Sequence, residues 1–97
     1  MIRSFADEGT EDIFNGINSK RARKKLDPLL YPIARRKLDM IDAAYNLSDL
    51  KVPPSNHLET LKGTLQGYYS IRINDQYRIV FAWCNHGAEN VEIMDYH

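Results

Sequence analysis

The alternation of apolar and polar residues along the second half of the chain limits its fold more than any other feature of the sequence. Ile71 and Ile73 share one face of residues 68–73, and residues 77–83 alternate in the same way. A repeat of two residues is typical of β-strands. The dipeptide Asn74-Asp75 between these segments favours a tight turn, so together they predict a β-hairpin.

Strand patterns also occur at the beginning of the chain and on both sides of this hairpin. Residues 2–5, 57–61 and 91–94 each predict one further strand, and the glycine-containing segments 62–67 and 85–87 predict turns. Strands that follow one another through short turns pair antiparallel. The second half of the chain therefore predicts a mainly antiparallel sheet.

The first half of the chain predicts two helices. Thr10 is a candidate N-cap for a short helix that includes Ile13, and Asp27-Pro28 is a favourable start for a long helix ending near Asn46. The predicted order of elements is β-α-α-β-β-β-β. Helices followed by hairpin-linked strands predict an α+β fold in which both helices cover one face of the sheet.

The length and composition of the chain exclude several classes of protein. Its 97 residues predict one domain, 1–97. No run of about 18 apolar residues could cross a membrane, and the first residues do not resemble a signal peptide, so we expect a cytosolic protein. The single cysteine, Cys84, excludes an internal disulfide and a cysteine-based zinc site. No histidine spacing or glycine-rich loop predicts a metal ion or another cofactor.

The basic residues are concentrated in one part of the chain. The whole sequence has 13 basic and 13 acidic residues, but residues 19–37 carry eight basic residues against one acidic residue, a net charge of +7. This block is either a solvated surface or a patch that binds phosphate groups, with Arg23, Lys24 and Lys25 as candidate phosphate contacts. Its last three cations, 35–37, are expected mainly on the outer side of the long helix.

Further candidate residues lie on the predicted hairpin and on the strand before it. Arg72 and Arg78 fall on the face opposite the apolar residues, which we expect to be open to solvent, and Lys62 lies in the neighbouring turn. Because a guanidinium can bond two phosphate oxygens at once, these cations are a candidate phosphate site. Glu59, with His57 two residues before it, is either a general base or the partner of a cross-strand ion pair.

The sequence ends with Asp95-Tyr96-His97, directly after an apolar strand. An imidazole titrates near neutral pH and exchanges protons there, and a tyrosine can stack on a nucleotide base. The segment is therefore either functional or a frayed terminus.

Four segments of the sequence, taken in order, resemble the HigB branch of the RelE/ParE toxin superfamily. They are residues 34–44, 56–63, 67–81 and 91–97, which together extend over most of the chain. The resemblance implies the compact, microbial-ribonuclease-like α+β fold of RelE-like proteins, in agreement with the order of elements above. It also implies a toxin of a type II toxin–antitoxin system that cuts mRNA in the ribosomal A site.

The resemblance further implies partners and a reaction. The partners are a HigA-type antitoxin with a helix-turn-helix domain, the ribosome with its mRNA, and operator DNA reached only through the toxin–antitoxin complex; no membrane is involved. The implied reaction uses no metal ion or other cofactor: the ribose 2′-OH attacks the adjacent phosphorus. Two other functions on the same fold stay open, a ParE-like inhibitor of DNA gyrase and a non-enzymatic module for antitoxin binding and operon control.

The matching positions imply roles for individual residues. Arg78, assisted by Lys62, is expected to stabilise charge in the transition state. Asp95, Tyr96 and His97 match the terminal catalytic segment of the family, in which His97 is expected to transfer a proton. Glu59 is the other acid–base candidate; some family members have histidine at this position, so the identity of the general base stays open. The candidate contacts to RNA or phosphate are Lys62, Arg72, His57, Arg23, Lys24 and Lys25. The basic segment 19–27 is expected to contact either ribosomal RNA or the antitoxin, and the sequence leaves both open.

Overall fold

Three α-helices precede a four-stranded sheet in the computed structural model, which describes residues 1–96. The helices are α1 (Glu8–Phe14), α2 (Lys20–Lys25) and α3 (Tyr31–Ala43). The strands are β1 (Glu59–Thr60), β2 (Tyr68–Arg72), β3 (Tyr77–Cys84) and β4 (Gly87–Asp95). Short 3-10 turns cover Pro28–Leu30, Leu47–Lys51, Pro54–Asn56 and Gly63–Leu65. The predicted α+β class is confirmed.

The sheet is antiparallel, and its strands lie side by side in chain order, β1-β2-β3-β4. In the turn between β2 and β3, Asn74 Oδ1 accepts hydrogen bonds from the backbone N–H groups of Gln76 and Tyr77, at 2.9 and 2.8 Å. An asparagine side chain that bonds the backbone two residues on stabilises a tight turn. The predicted antiparallel hairpin is therefore confirmed, whereas the strand predicted over 57–61 is reduced to Glu59–Thr60.

The strand predicted at residues 2–5 does not form. Ile2 and Phe5 make only isolated parallel bridges, to Ala88 and Val91 of β4. Between these two contacts, Asn90 has a φ of 53°, in the left-handed region. β4 has an extra residue here against β3, because Val80 pairs with Glu92 and Ala82 with Glu89. This bulge interrupts the regular spacing of the N–H and C=O groups on the edge of β4 that faces residues 2–5.

The prediction of two helices was wrong, because the sequence signal for α2 is weak. Five of its six residues are Lys or Arg, and its buried side chain is the small Ala22, so no apolar periodicity marks it. Ser19 caps it by accepting a hydrogen bond from the Ala22 N–H. The N-cap of α1 is Asp7, whose carboxylate accepts from the N–H of Thr10; Thr10 therefore lies inside the helix and does not cap it.

The long helix begins three residues later than predicted. Asp27 does cap Pro28–Leu30, but this segment is a 3-10 turn in which the Tyr31 N–H bonds the Pro28 carbonyl. Pro32 has no N–H with which to make the α-helical bond to Pro28, so α3 begins only at Tyr31. Its C-terminal end at Ala43 also precedes the predicted Asn46.

The apolar core lies between the helices and one face of the sheet. Ile71, Ile79 and Phe81 of the sheet are fully buried, as are Leu38 and Ile41 of α3. The strand alternation therefore identified the core-facing side chains correctly.

Two cations are buried against expectation. Arg78 was expected on an open face but is 8% exposed, because Ser70, the backbone of residue 57 and Tyr96 surround it. Lys37 was expected on the outer side of α3 but is 6% exposed, because Asn56 of a Pro54–Asn56 turn packs over it.

Candidate active site

Arg78 is the centre of the site, and neutral acceptors hold its guanidinium in one orientation. Its Nε donates to the Ser70 hydroxyl at 2.8 Å. Its Nη2 donates to the carbonyl of His57 and lies 3.3 Å from the Ser70 carbonyl. A guanidinium has five donors in a rigid planar fork, so these bonds fix the direction in which Nη1 points.

Glu59 lies at the Nη1 edge of that guanidinium. Its Oε1 is 3.5 Å from Arg78 Nη1, and its side chain is 52% exposed. The contact crosses the intervening strand β2, because Glu59 pairs with Ser70 and Ser70 pairs with Val80, two residues from Arg78 on the same face. The structure therefore contains the cross-strand ion pair that was one of the two alternatives for Glu59.

The described part of the terminal segment lies beside Arg78. The Tyr96 ring centroid is 6.0 Å from the Arg78 Cζ, within cation–π distance. Gln76, in the β2–β3 turn, holds this segment: its carbonyl accepts from the Tyr96 N–H at 2.6 Å, and its amide donates to the Asp95 carboxylate at 3.1 Å. These two hydrogen bonds join residues 95 and 96 to the β2–β3 turn. His97 lies outside the described residues.

The remaining candidates around the hairpin do not all meet at this point. Arg72 faces Arg78 across the β2–β3 ladder, but its guanidinium pairs with Asp75 in the turn. The His57 side chain is exposed, and only its backbone carbonyl contacts Arg78. Lys62 is exposed in the turn after β1, directly before Gly63–Leu65.

The basic segment forms a second positive surface on α2. Arg21 pairs with Glu8 and Asp12, and Lys25 lies 3.1 Å from Glu92 and 3.6 Å from Asp7. Within residues 1–96, no carboxylate is within 4 Å of the amino or guanidinium groups of Lys20, Arg23 and Lys24; Arg23 donates instead to Asn18. A cleft of about 280 Å³ joins this surface to the end of β4, lined by Lys24, Lys25, Tyr77, Glu92, Ile93, Met94 and Asp95.

Two parts of the site were missed in the sequence. Ser70 is fully buried and accepts the Arg78 Nε–H. Its position on the face of Arg72 was a usable signal, because only a small polar residue lets an arginine reach across the middle strand. The carbonyl of His57 leaves no sequence signal, since every residue has one.

The arrangement is suited to holding an anion beside a proton acceptor. A planar cation held by neutral acceptors binds phosphate oxygens through two parallel N–H bonds. Glu59 supplies a carboxylate at the same edge, and the Tyr96 ring supplies an apolar surface above the guanidinium. Within residues 1–96, no group of three His, Cys, Asp or Glu side chains is placed to bind a metal ion. No helix in this described part is both long enough and apolar enough to span a membrane.

Comparisons with known proteins identify the family to which the chain belongs. The family described as "RelE-like toxin of type II toxin-antitoxin system HigB" matches residues 3–97. "Toxin HigB-1" of Vibrio cholerae serotype O1 is 51% identical over 93 residues, covering 93% of this chain and 92% of the relative. "Endoribonuclease HigB" of Proteus vulgaris is 31% identical over 98 residues, covering 100% of both chains.

Solved structures give the same fold. The YoeB–YefM complex from Staphylococcus aureus contains a chain that superposes with a TM-score of 0.62, covering 100% of this chain and 98% of that one. The sequence identity is 21%, so this likeness concerns the fold alone.

Proposed function

Because the chain belongs to the HigB-like family of RelE-like toxins from type II toxin–antitoxin systems, we propose that it is an endoribonuclease that inhibits translation by cutting mRNA on the ribosome. The Proteus vulgaris relative is named for endoribonuclease activity, which supports the same activity here. The proposed substrate is a phosphodiester of mRNA in the ribosomal A site. The proposed place of action is therefore the cytosol.

The observation that carries this proposal is the group formed by Arg78, Glu59 and Tyr96. A ribonuclease site needs a cation for the phosphate, a group that accepts a proton and a surface for a base. The contacts of Arg78 with Glu59 and with the Tyr96 ring bring these three chemistries to one guanidinium. The half-exposed carboxylate of Glu59 can turn away from Nη1 when a phosphate oxygen takes its place.

In the proposed reaction the ribose 2′-oxygen attacks the adjacent phosphorus while its proton passes to a base. The bond from phosphorus to the 5′-oxygen breaks, and that oxygen takes up a proton, which yields a 2′,3′-cyclic phosphate and a free 5′-OH. Arg78 and Lys62 oppose the negative charge that grows on the phosphoryl oxygens. The proton transfers are assigned to Glu59 and to the terminal segment of Asp95, Tyr96 and His97, with His97 as its main proton carrier; no metal ion takes part.

Further residues are proposed to hold the RNA. Arg72 and His57 border the site, and Arg72 exchanges its exposed partner Asp75 for a phosphate. On α2, Arg23 and Lys24 are the proposed phosphate contacts, since Lys25 already has two carboxylates beside it. The chain has a net charge of zero, so its affinity for RNA depends on these few cations. Affinity for a phosphate backbone increases with the number of cations that contact phosphate groups.

The proposal includes an antitoxin as the stable partner. A solved structure with the same fold is described as a heterotetrameric YoeB–YefM toxin–antitoxin complex from Staphylococcus aureus, which supports an antitoxin for this chain as well. The proposed antitoxin is of the HigA type, with a helix-turn-helix domain, and contact with operator DNA occurs only through the complex.

Short induction followed by mapping of RNA 5′ ends tests this function. We expect the wild-type chain to stop translation and to leave new 5′-OH ends inside reading frames. Arg78→Ala and a chain that lacks residues 95–97 should do neither. Arg3→Ala is the matched control, because this guanidinium also bonds backbone carbonyls, those of Cys84 and Asn85, at the β3–β4 turn.

Two results would contradict the proposal. Double-strand DNA breaks with intact mRNA would favour a ParE-like inhibitor of gyrase. Absence of growth arrest at confirmed high expression would favour a module that only binds antitoxin. If Arg78→Ala stays folded and equally toxic, the assignment of the site is wrong.

A further inference from the structure

Lys37 is a buried cation that the proposed reaction does not use. It lies in the middle of α3 and is 6% exposed. Its ammonium group donates to the side-chain carbonyl of Asn56, and within residues 1–96 no carboxylate lies within 4 Å of it. Burial, and then Arg36 and Arg72, lowers the pKa of Lys37. An apolar residue would fill this place at lower cost if stability alone mattered.

Asn56 connects this lysine to the chain between α3 and β1. It is fully buried. Its amide group donates to the carbonyls of Leu50 and Val52, at 3.2 and 3.4 Å, and lies 3.8 Å from the sulfur of Met40. The Asn56 side chain therefore accepts a hydrogen bond from Lys37 of α3 and donates hydrogen bonds to the backbone of residues 50 and 52. This one side chain joins segment 50–56 to α3.

His57 follows Asn56 directly and has an unusual backbone conformation. Its φ is 45° and its ψ 58°, in the left-handed region that non-glycine residues rarely adopt. Its N–H donates to the Pro54 carbonyl at 3.0 Å. Such a conformation persists only where the surrounding contacts enforce it. It directs the His57 carbonyl at Arg78 Nη2.

We infer that Lys37 and Asn56 form a brace that places the His57 carbonyl and so sets the orientation of the Arg78 guanidinium. Both are positioning residues: the connection runs from α3 through Asn56 and the backbone of residue 57 to Arg78. The inference rests on the proposed function, because it assigns the brace to the group that stabilises the scissile phosphate. The structural part of the inference concerns how firmly the Arg78 guanidinium is held, and this can be measured in a protein that does not cleave RNA.

Lys37→Met and Asn56→Asp test the brace. Methionine fills the space of lysine without donating, and aspartate has the shape of asparagine but lacks the two N–H donors. In single-turnover cleavage of mRNA on programmed ribosomes, each variant should lower the rate constant at saturation by about 10- to 100-fold, since small misplacement of a catalytic group has effects of this size. The ribosome concentration that gives half-saturation should stay within about twofold of the wild-type value, because neither side chain reaches RNA.

A double-mutant cycle separates positioning from loss of fold. In an Arg78→Lys background, which keeps the charge but has no planar fork, Lys37→Met should slow cleavage by less than about twofold further. Ile13→Val, a core substitution in α1, is the control: it lowers the melting temperature and leaves the rate constant unchanged at temperatures where the protein is folded. Full additivity of Lys37→Met and Arg78→Lys would overturn the inference.

Exchange of the Arg78 guanidinium protons with water, followed by ¹⁵N NMR, gives a readout independent of cleavage. We expect exchange at least about fivefold faster in Lys37→Met and in Asn56→Asp than in Ile13→Val, because the brace limits local opening. Unchanged exchange in both folded variants would refute the brace. If the wild type does not cleave mRNA but exchange responds as expected, the proposed function fails and the brace stands.

Discussion

Replacement of Ser70 by alanine tests the claim that neutral acceptors hold Arg78 in place. Ser70 is fully buried, and its hydroxyl accepts the Arg78 Nε–H at 2.8 Å. Loss of a hydrogen bond to a charged group costs about 1.5–3 kcal/mol. The carbonyls of His57 and Ser70 still bond Nη2 in Ser70→Ala, so the lower half of this range applies, about 2 kcal/mol.

This loss is large enough to measure as a change in thermal stability. For a domain of this size, each kcal/mol lowers the melting temperature by about 4–8 °C, so Ser70→Ala should melt about 8–16 °C below wild type. Unfolding is followed by circular dichroism and by denaturant titration. Ser4→Ala is the matched control: its hydroxyl accepts from the Asn90 N–H at 2.9 Å at an exposed site, so its loss should cost less than about 1 kcal/mol.

The outcome is decisive for the geometry of the site. If Ser70→Ala unfolds within about 0.5 kcal/mol of wild type, well below the cost of a charged hydrogen bond, the Arg78 Nε–H does not depend on this hydroxyl. Only the two backbone carbonyls on Nη2 would then remain as supports for the fixed orientation of the guanidinium.

Three further outcomes are expected. Tyr96→Ala should slow ribosomal mRNA cleavage more than Tyr96→Phe, because phenylalanine keeps a ring over Arg78, a contact worth about 0.5–1 kcal/mol; equal rates in single-turnover cleavage would contradict this. Burial raises the pKa of Tyr31, whose hydroxyl has no hydrogen-bond partner within residues 1–96. The stability that the neutral tyrosine contributes is therefore lost as pH rises above about 10. In denaturant titrations, Tyr31→Phe should be at least as stable as wild type at pH 7 and should lose less stability than wild type between pH 9 and 11. Combined replacement of Arg23 and Lys24 by alanine should weaken ribosome binding and reduce the slope of log affinity against log salt by about 0.7–0.9 per lost phosphate contact. An unchanged slope would remove α2 from the RNA interface.

Several features of the fold were predictable because they depend on local patterns. Asn74 next to the alternating segments identified the hairpin, and Asp27-Pro28 identified the region where α3 begins. Alternation placed Ile71 and Ile79 in the core, because a strand's side chains point to opposite faces by geometry. The helix α2 was missed for a related reason: its buried residue is Ala22, and it contributes almost no apolar surface that a periodic pattern could reveal.

The sequence by itself therefore determined the α+β class, the antiparallel sheet, the family resemblance and the residue types available for chemistry. Only the tertiary structure decided which of those residues meet. Arg78 and Lys37 were expected to be exposed and are buried, because segment 50–57 and Tyr96 pack over them. No periodicity predicts where an irregular segment packs. The partners that orient Arg78 include two backbone carbonyls, and the direction of a carbonyl is set by backbone dihedrals rather than by a side chain.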